Sequence, residues 1–226
     1  MAIPLSFLGH RQDRMPGTVK RIRRTQAERR EETISHILDA AVSALRSKGY
    51  AGFRFNHVVL AAEISKGAMT HHFPTKESLV VAALTRSYDE SNARSMARIE
   101  AIPPDAEPSA VLEALMEDSG DFYLGPDFAI SVAMLSSRNH EPGLASEVSE
   151  IARVHRIPIE DVWLEVLLRS GLSDEDARGL LFMTQSIYRG MVMRRYMRND
   201  PDYIDFTIEQ WRKLAFSTIE KYSKPR

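Results

Sequence analysis

The segment from His57 to Leu79 admits two short helices joined by a three-residue turn, and that unit constrains how the rest of the chain can be arranged. Val58, Val59 and Ala62 recur at helical spacing, and Glu63-Ile64-Ser65 has the length of the tight connection in a helix-turn-helix. Ser65 is placed to accept a backbone N–H of the following turn, so a second short helix is predicted over Lys66 to His72. Its N-terminus sets the positive end of a helix dipole beside the Lys66 ammonium, which suits phosphates and base edges. Gly67 costs roughly 1 kcal/mol relative to alanine inside a helix. It is explained if a Cβ there would block close packing or close approach to a duplex. A plain helical hairpin with an incidental glycine is the competing reading.

The flanks favour the first reading. Thr25 and Glu28 have the spacing of a capping box, and Ile34, Ile37, Leu38, Ala41, Val42 and Leu45 then form a single apolar face. Gly49 is the expected stop, giving a helix of about six turns. Phe73-Pro74 ends the hairpin, and Thr75 caps a helix that opens with Lys76 and runs toward Pro103-Pro104. At ~1.5 Å per residue it is roughly 39 Å long, enough to join a head to a separate body.

In order and spacing, Ile37-Leu38-Asp39-Ala40-Ala41, Leu45, Gly49-Tyr50, Val58, Ala62, Ile64-Ser65, Gly67, His72-Phe73, Lys76 and Leu79 resemble the TetR family of bacterial transcriptional regulators. The resemblance covers residues 33–80. It implies an all-α fold with an N-terminal three-helix head, followed by a helical ligand-binding and dimerisation body. The implied division is a basic arm over 1–24, a helix-turn-helix domain over 25–88 and an effector-binding, dimerising domain over 89–226. The implied function is a sequence-specific DNA-binding regulator, a repressor released from its operator by a small molecule. Lys66, Ala68, Met69 and His71 occupy positions that meet bases in the family, and His72 and Lys76 positions that meet phosphate. Arg54, Asn56, Ser65, Gly67 and Thr70 complete the expected DNA-facing set.

Three residues depart from the family pattern. Glu63 stands where glycine is usual before the turn, so the turn must form without an easy left-handed residue. Arg54 replaces the usual capping hydroxyl of the first short helix and offers a guanidinium to phosphate instead. Thr70 stands where an aromatic residue is expected. The fold tolerates all three, while individual DNA contacts are expected to be atypical.

Charge divides the chain in the same place. Residues 1–30 carry eight Arg or Lys against Asp13 and Glu28, and residues 31–88 add six basic and five acidic side chains. The first 88 residues are therefore +7, and a total of −1 leaves −8 for residues 89–226. The basic end suits a polyanion through counterion release, and the acidic body is repelled by it. The run Lys20-Arg21-Ile22-Arg23-Arg24 precedes the first helix, as an arm reaching phosphates or a minor groove would, although a solubilising tail has the same composition. Met1 to Leu8 is short, apolar and without a basic leader, a poor signal peptide, and Met15 is a second candidate start.

Beyond residue 104 no period-two alternation persists. Helices are predicted over 108–123, 126–138, 143–170 with a break at Pro158, 174–198 and 202–222. The helix from Asp174 is apolar nearly all round its axis, through Leu180, Leu181, Phe182, Met183, Ile187, Tyr188, Met191, Val192 and Met193, and must be covered on more than one side. The last helix offers Ile204, Ile208, Trp211, Ala215, Ile219 and Tyr222 against it. By the resemblance these two helices pair with a second copy across a two-fold axis; closing the subunit's own core is the alternative use. Met96, Ile99, Phe122, Phe128, Met134, Trp163, Met183 and Gln185 are the candidates to line an effector cavity, with Arg138, His140 and His155 as polar handles. An apolar or aromatic effector with one or two polar anchors is expected.

Catalysis finds little support. His71 and His72 are adjacent on a helix and face different directions, so they cannot chelate one metal, and no phosphate loop or acid–base pair is recognisable. No cysteine is present and no cofactor is expected. No segment has ~18 uninterrupted apolar residues, the length a membrane span needs. A cytoplasmic protein acting on a double-stranded operator as a homodimer is expected. A non-specific nucleoid-type binder, or a protein-binding adaptor without an effector, is the alternative.

Overall fold

The computed structural model describes residues 25–136 and 142–222. Every regular element among them is helical. The basic run at 20–24 and the handles Arg138 and His140 lie outside the described residues.

Helix α1 (Gln26–Gly52) begins where its capping box predicts: Glu28 N–H donates to Thr25 Oγ1 at 3.2 Å, and Thr25 N–H donates to Glu28 Oε2 at 2.7 Å. Its buried stripe is Ile37, Ala41, Val42 and Leu45. Gly49 sits at φ 62°, a left-handed break, and one further turn follows before Phe53. The two short helices are α2 (Phe55–Ala61) and α3 (Lys66–His72), the second capped by Ser65 Oγ accepting from Ala68 N–H at 3.1 Å. Thr75 caps α4 (Lys76–Glu100), which is the spine of the molecule.

Two apolar cores lie along that spine. Leu79, Val80, Ala83, Leu84 and Tyr88 of α4 pack with Ile37 and Leu45 of α1, Val58 of α2 and Met69 of α3, and the same core continues into Phe122 and Tyr123 at the end of α5 (Pro108–Tyr123), α6 (Pro126–Ser136) and α7 (Pro142–Ile151). Ile99, near the far end of α4, belongs to a second core with the front of α5, α8 (Ile157–Arg169), α9 (Asp174–Met197) and α10 (Pro201–Ile219). Proline opens α5 and α10 and stands in the first turn of α8, where its missing N–H costs no intrahelical bond.

The stretch expected over 143–170 with a break at Pro158 is interrupted, and the interruption precedes Pro158 rather than falling on it. Ala152–Arg156 forms a π-helical turn between α7 and α8. Its wider winding re-aims the chain so that Arg156 is buried while Arg153 stays exposed. The end of α10 tightens into a 3₁₀ turn, Glu220–Tyr222.

Candidate nucleic-acid interface and effector-binding body

The turn between α2 and α3 is made by the residue that departs from the family pattern. Glu63 adopts φ 53°, so a glutamate occupies the left-handed region that glycine enters freely. Ile64 N–H then donates to Val59 carbonyl at 3.3 Å, which closes the turn and sets Ser65 at the head of α3.

Helix α3 presents Lys66, Gly67, Thr70 and His71 to solvent with Ala68 and His72 half-buried. Met69 is fully buried and packs into the first core. The sequence expectation that Met69 reads bases is therefore corrected: its side chain points away from the exposed face and anchors the helix from beneath. The Gly67 argument also changes, because a Cβ there would meet only Ser65 Oγ at 3.9 Å and no packing forbids it. What remains for Gly67 is clearance on the outer side. Thr70 Oγ1 donates to Lys66 carbonyl at 2.6 Å, which holds its short side chain against the helix.

The supporting cations are held in place. Arg54 is exposed and makes no cap to α2; its Nη1 donates instead to the carbonyls of Ala51 at 2.7 Å and Phe53 at 3.0 Å, closing the frayed end of α1. Lys76 Nζ lies 4.1 Å from the Tyr50 ring centroid and 3.4 Å from Tyr50 carbonyl oxygen, which fixes the ammonium at the start of α4. Asn56 is exposed in the first turn of α2. His72 packs edge-on to His71 at 5.3 Å, and its pKa is lowered by desolvation, with smaller contributions from His71 and from Arg30 of α1. Arg30 was not anticipated from sequence as a neighbour of this face; about six turns of α1 separate it from the hairpin that folds back onto it. Arg54, Asn56, Lys66, Thr70, His71 and Lys76 are thus carried by three consecutive elements.

The eight candidate effector residues are divided between the two cores and the surface. Phe122, Phe128 and Met134 belong to the first core, while Met96, Ile99 and Trp163 belong to the second. Gln185 is buried, and its Oε1 accepts from Arg189 Nη2 at 3.2 Å. Met183 is 51% exposed on α9 and lines no interior. His155 is held by Asp89, Nδ1 to Oδ1 2.7 Å.

What sequence reading missed is a polar knot between the cores. Asp118 is 2% exposed, and its oxygens accept from Arg156 Nη2 at 3.0 Å, from Trp163 Nε1 at 3.0 Å and from the Ser95 hydroxyl. Arg98 Nη1 approaches the same carboxylate at 3.5 Å. Beside it the Tyr123 hydroxyl donates to Glu160 at 3.0 Å and accepts from Arg189 Nη2 at 2.8 Å, and burial raises the Tyr123 pKa. Its members come from four α-helices and the π turn, so no local pattern announces it. Where head meets body, Arg46 of α1 makes a bidentate pair with Asp127 at the start of α6, at 2.9 and 2.7 Å.

A short solvent-facing helix capped by serine, set over a hydrophobic anchor and followed by a long spine into a second helical body, defines a helix-turn-helix transcriptional regulator. Residues 37–83 match the family model described as "Bacterial regulatory proteins, tetR family". The chain is 36% identical over 198 residues, 88% of this chain and 93% of the other, to the HTH-type transcriptional regulator CymR of Pseudomonas putida. It belongs to the TetR family. Its fold is similar to a TetR-family regulator from Cytophaga hutchinsonii, at TM-score 0.63 and 15% identity over 84% of this chain and 96% of that one, and to one from Haloarcula marismortui, at TM-score 0.60 and 19% identity over 84% and 98%. No helix among the described residues is long and apolar enough to cross a membrane.

Proposed function

We propose that this TetR-family regulator acts as a homodimeric repressor in the cytoplasm, that it reads a near-palindromic operator with α3, and that a small molecule bound in its body releases it. The observation that carries the reading is the division of α3: Lys66, Thr70 and His71 face outward over a Met69 anchor, which presents a rigid polar edge of the size a major groove admits. Arg54 and Lys76, fixed at the ends of neighbouring helices, are the phosphate contacts that set its register. The division of labour is an arm over 1–24, a head over 25–88 and a body over 89–226. Likeness to a transcriptional regulator across nearly the whole chain favours this over a non-specific nucleoid binder, an adaptor or an enzyme.

Dimerisation uses the outer faces of α9 and α10. Phe182, Met193 and Met197 stand at i, i+11 and i+15, with exposed Ser186 and Gly190 between them, and Tyr203, Phe206 and Leu214 stand at i, i+3 and i+11. Stripes of large apolar side chains left open to water on consecutive helices fit a four-helix contact with a second copy. One short reading helix gains both affinity and half-site selection from such pairing.

The test is selection of genomic duplex fragments by the purified protein, followed by footprinting. The expected result is a site with two half-sites whose centres are about one helical turn, roughly 34–36 Å, or a small multiple apart. Uniform retention of all fragments would overturn the reading.

A further inference from the structure

Helix α3 ends on two histidines, and the surroundings of the second decide what it can offer a phosphate. His72 is half-buried, and its Nδ1 is sealed inside the protein with no hydrogen-bond partner. Nε2 is therefore the nitrogen left for anything outside. Protonating such a ring would bury an N–H of a cation beside no acceptor, which costs more than leaving the lone pair of a neutral ring bare. The neutral tautomer with its hydrogen on Nε2 avoids that cost and keeps a donor on the outer side.

The charges around the ring act in the same direction. His71, on the same helix, lies edge-on at 5.3 Å, and Arg30 acts on the ring from α1. Arg30 stands one turn before Ile34 and two before Ile37, both packed in the core that holds Met69 and Phe73, so this face of α1 runs past the end of α3. Helix α2 and its cap bring His57 and Arg54, but His57 lines a cleft with His36 and Glu63, and Arg54 is turned onto the carbonyls of Ala51 and Phe53. Helix α4 brings Lys76, held on the Tyr50 ring, and Glu77, exposed in its first turn. None of these four shifts His72; burial, then His71 and Arg30, hold its pKa below the ordinary 6.5. The foot of α3 thus has a donor without a charge, and the exposed Arg30 beside it has a charge that belongs to another helix.

We propose that the foot of α3 meets the DNA backbone with two separated roles: neutral His72 donates its Nε2–H to a phosphate and fixes register, while Arg30 of α1, outside the helix-turn-helix, supplies the neutralising charge. This rests on the reading of α3 given above and adds a residue to its contact surface. The two roles leave different marks. A cation that neutralises a phosphate releases counterions and steepens the salt dependence, with a slope near −0.9 per contact, whereas a neutral donor changes affinity at every salt concentration alike.

The experiment uses the full-length chain and a duplex fragment that it retains in genomic selection. Affinity is measured across salt, and binding enthalpy at pH 7.5 in two buffers of different ionisation enthalpy, which counts the protons taken up. Arg30→Gln is expected to flatten the salt slope by about one per head. His72→Gln, whose amide N–H stands in for Nε2–H, is expected to keep the native salt slope, the native proton count and an affinity within about threefold of native. His72→Phe, which has no donor, is expected to lose at least about tenfold in affinity with the slope unchanged. A flatter slope or a smaller proton uptake in His72→Gln would overturn the neutral donor, and an unchanged slope in Arg30→Gln would overturn the role of Arg30. Arg30 is exposed, so its variant decides the proposal even if the His72 variants fail to fold. A native chain that binds no duplex would overturn this proposal together with the reading of α3, whereas a native chain that binds but gives either adverse result overturns the proposal alone.

Discussion

Among the described residues, Glu63 carries a backbone conformation that its side chain disfavours. At φ 53° a residue with a Cβ is strained by about 1 kcal/mol, which Glu63→Gly removes. A rise in melting temperature of roughly 2–4 °C is expected for a chain of this size, read by thermal denaturation. The outward and fixed cations divide differently. Lys66→Ala is expected to change which operator variants are preferred, whereas Lys76→Ala weakens binding to every duplex and lowers the salt slope by about one, both read by competition binding across salt. Asp176 gives a pH dependence. Hydrogen bonds from Lys221, Tyr222 and Ser173 hold its carboxyl at about 2, below the ordinary 3.8. A depressed carboxyl stabilises the fold fully above the ordinary value, and the contribution is lost as pH falls toward about 2. The melting-temperature gap between the native chain and Asp176→Asn should therefore be constant above pH 3.8 and shrink below it.

Among the elements, those with their own punctuation are legible in the sequence. Thr25, Ser65 and Thr75 each cap the helix they announce, and Val58 and Leu45 fall on buried faces because a 3.6-residue period leaves little choice. The face of α3 was harder: over seven residues several phases fit the same helix, and only packing against Leu79 and Val58 in one core puts Met69 inside. The π-turn was hidden because Pro158 offered a more conspicuous reason for a break. Cavity-lining residues were unreadable from composition, since Met134 and Trp163 look alike as apolar side chains until two separate cores divide them. At the junction of elements, the exposed Arg46 limits the stability of its pair with Asp127 to about 1 kcal/mol, yet that pair is a direct tie from head to body. Arg46→Ala is expected to leave melting within roughly 1 kcal/mol of native while reducing the factor by which an effector weakens operator binding, measured as effector affinity with and without operator.

For the whole molecule, the proposed dimer through α9 and α10 lies in the acidic part of the chain, which the charge split would hold off a duplex. Phe206 is 64% exposed and Leu214 65% exposed. The pair of changes Phe206→Glu and Leu214→Glu is expected to convert the dimer to a monomer by sedimentation at micromolar concentration, without unfolding it. Operator affinity should then fall by more than tenfold, because each head binds a half-site alone. A monomer that kept full operator affinity would remove the two-fold model.

The π-helical turn at Ala152–Arg156 has a consequence for how the lineage of this protein can vary. A π turn is what a helix makes of one surplus residue, and removing that residue would return the segment to ordinary winding. Excision of exposed Val154 would leave the flanking helices in phase but re-aim the residues of the turn itself, and Arg156, its last residue, would lose Asp118. Single-residue gaps should therefore be scarce here between descendants that keep this buried arginine, and frequent between those that have abandoned it.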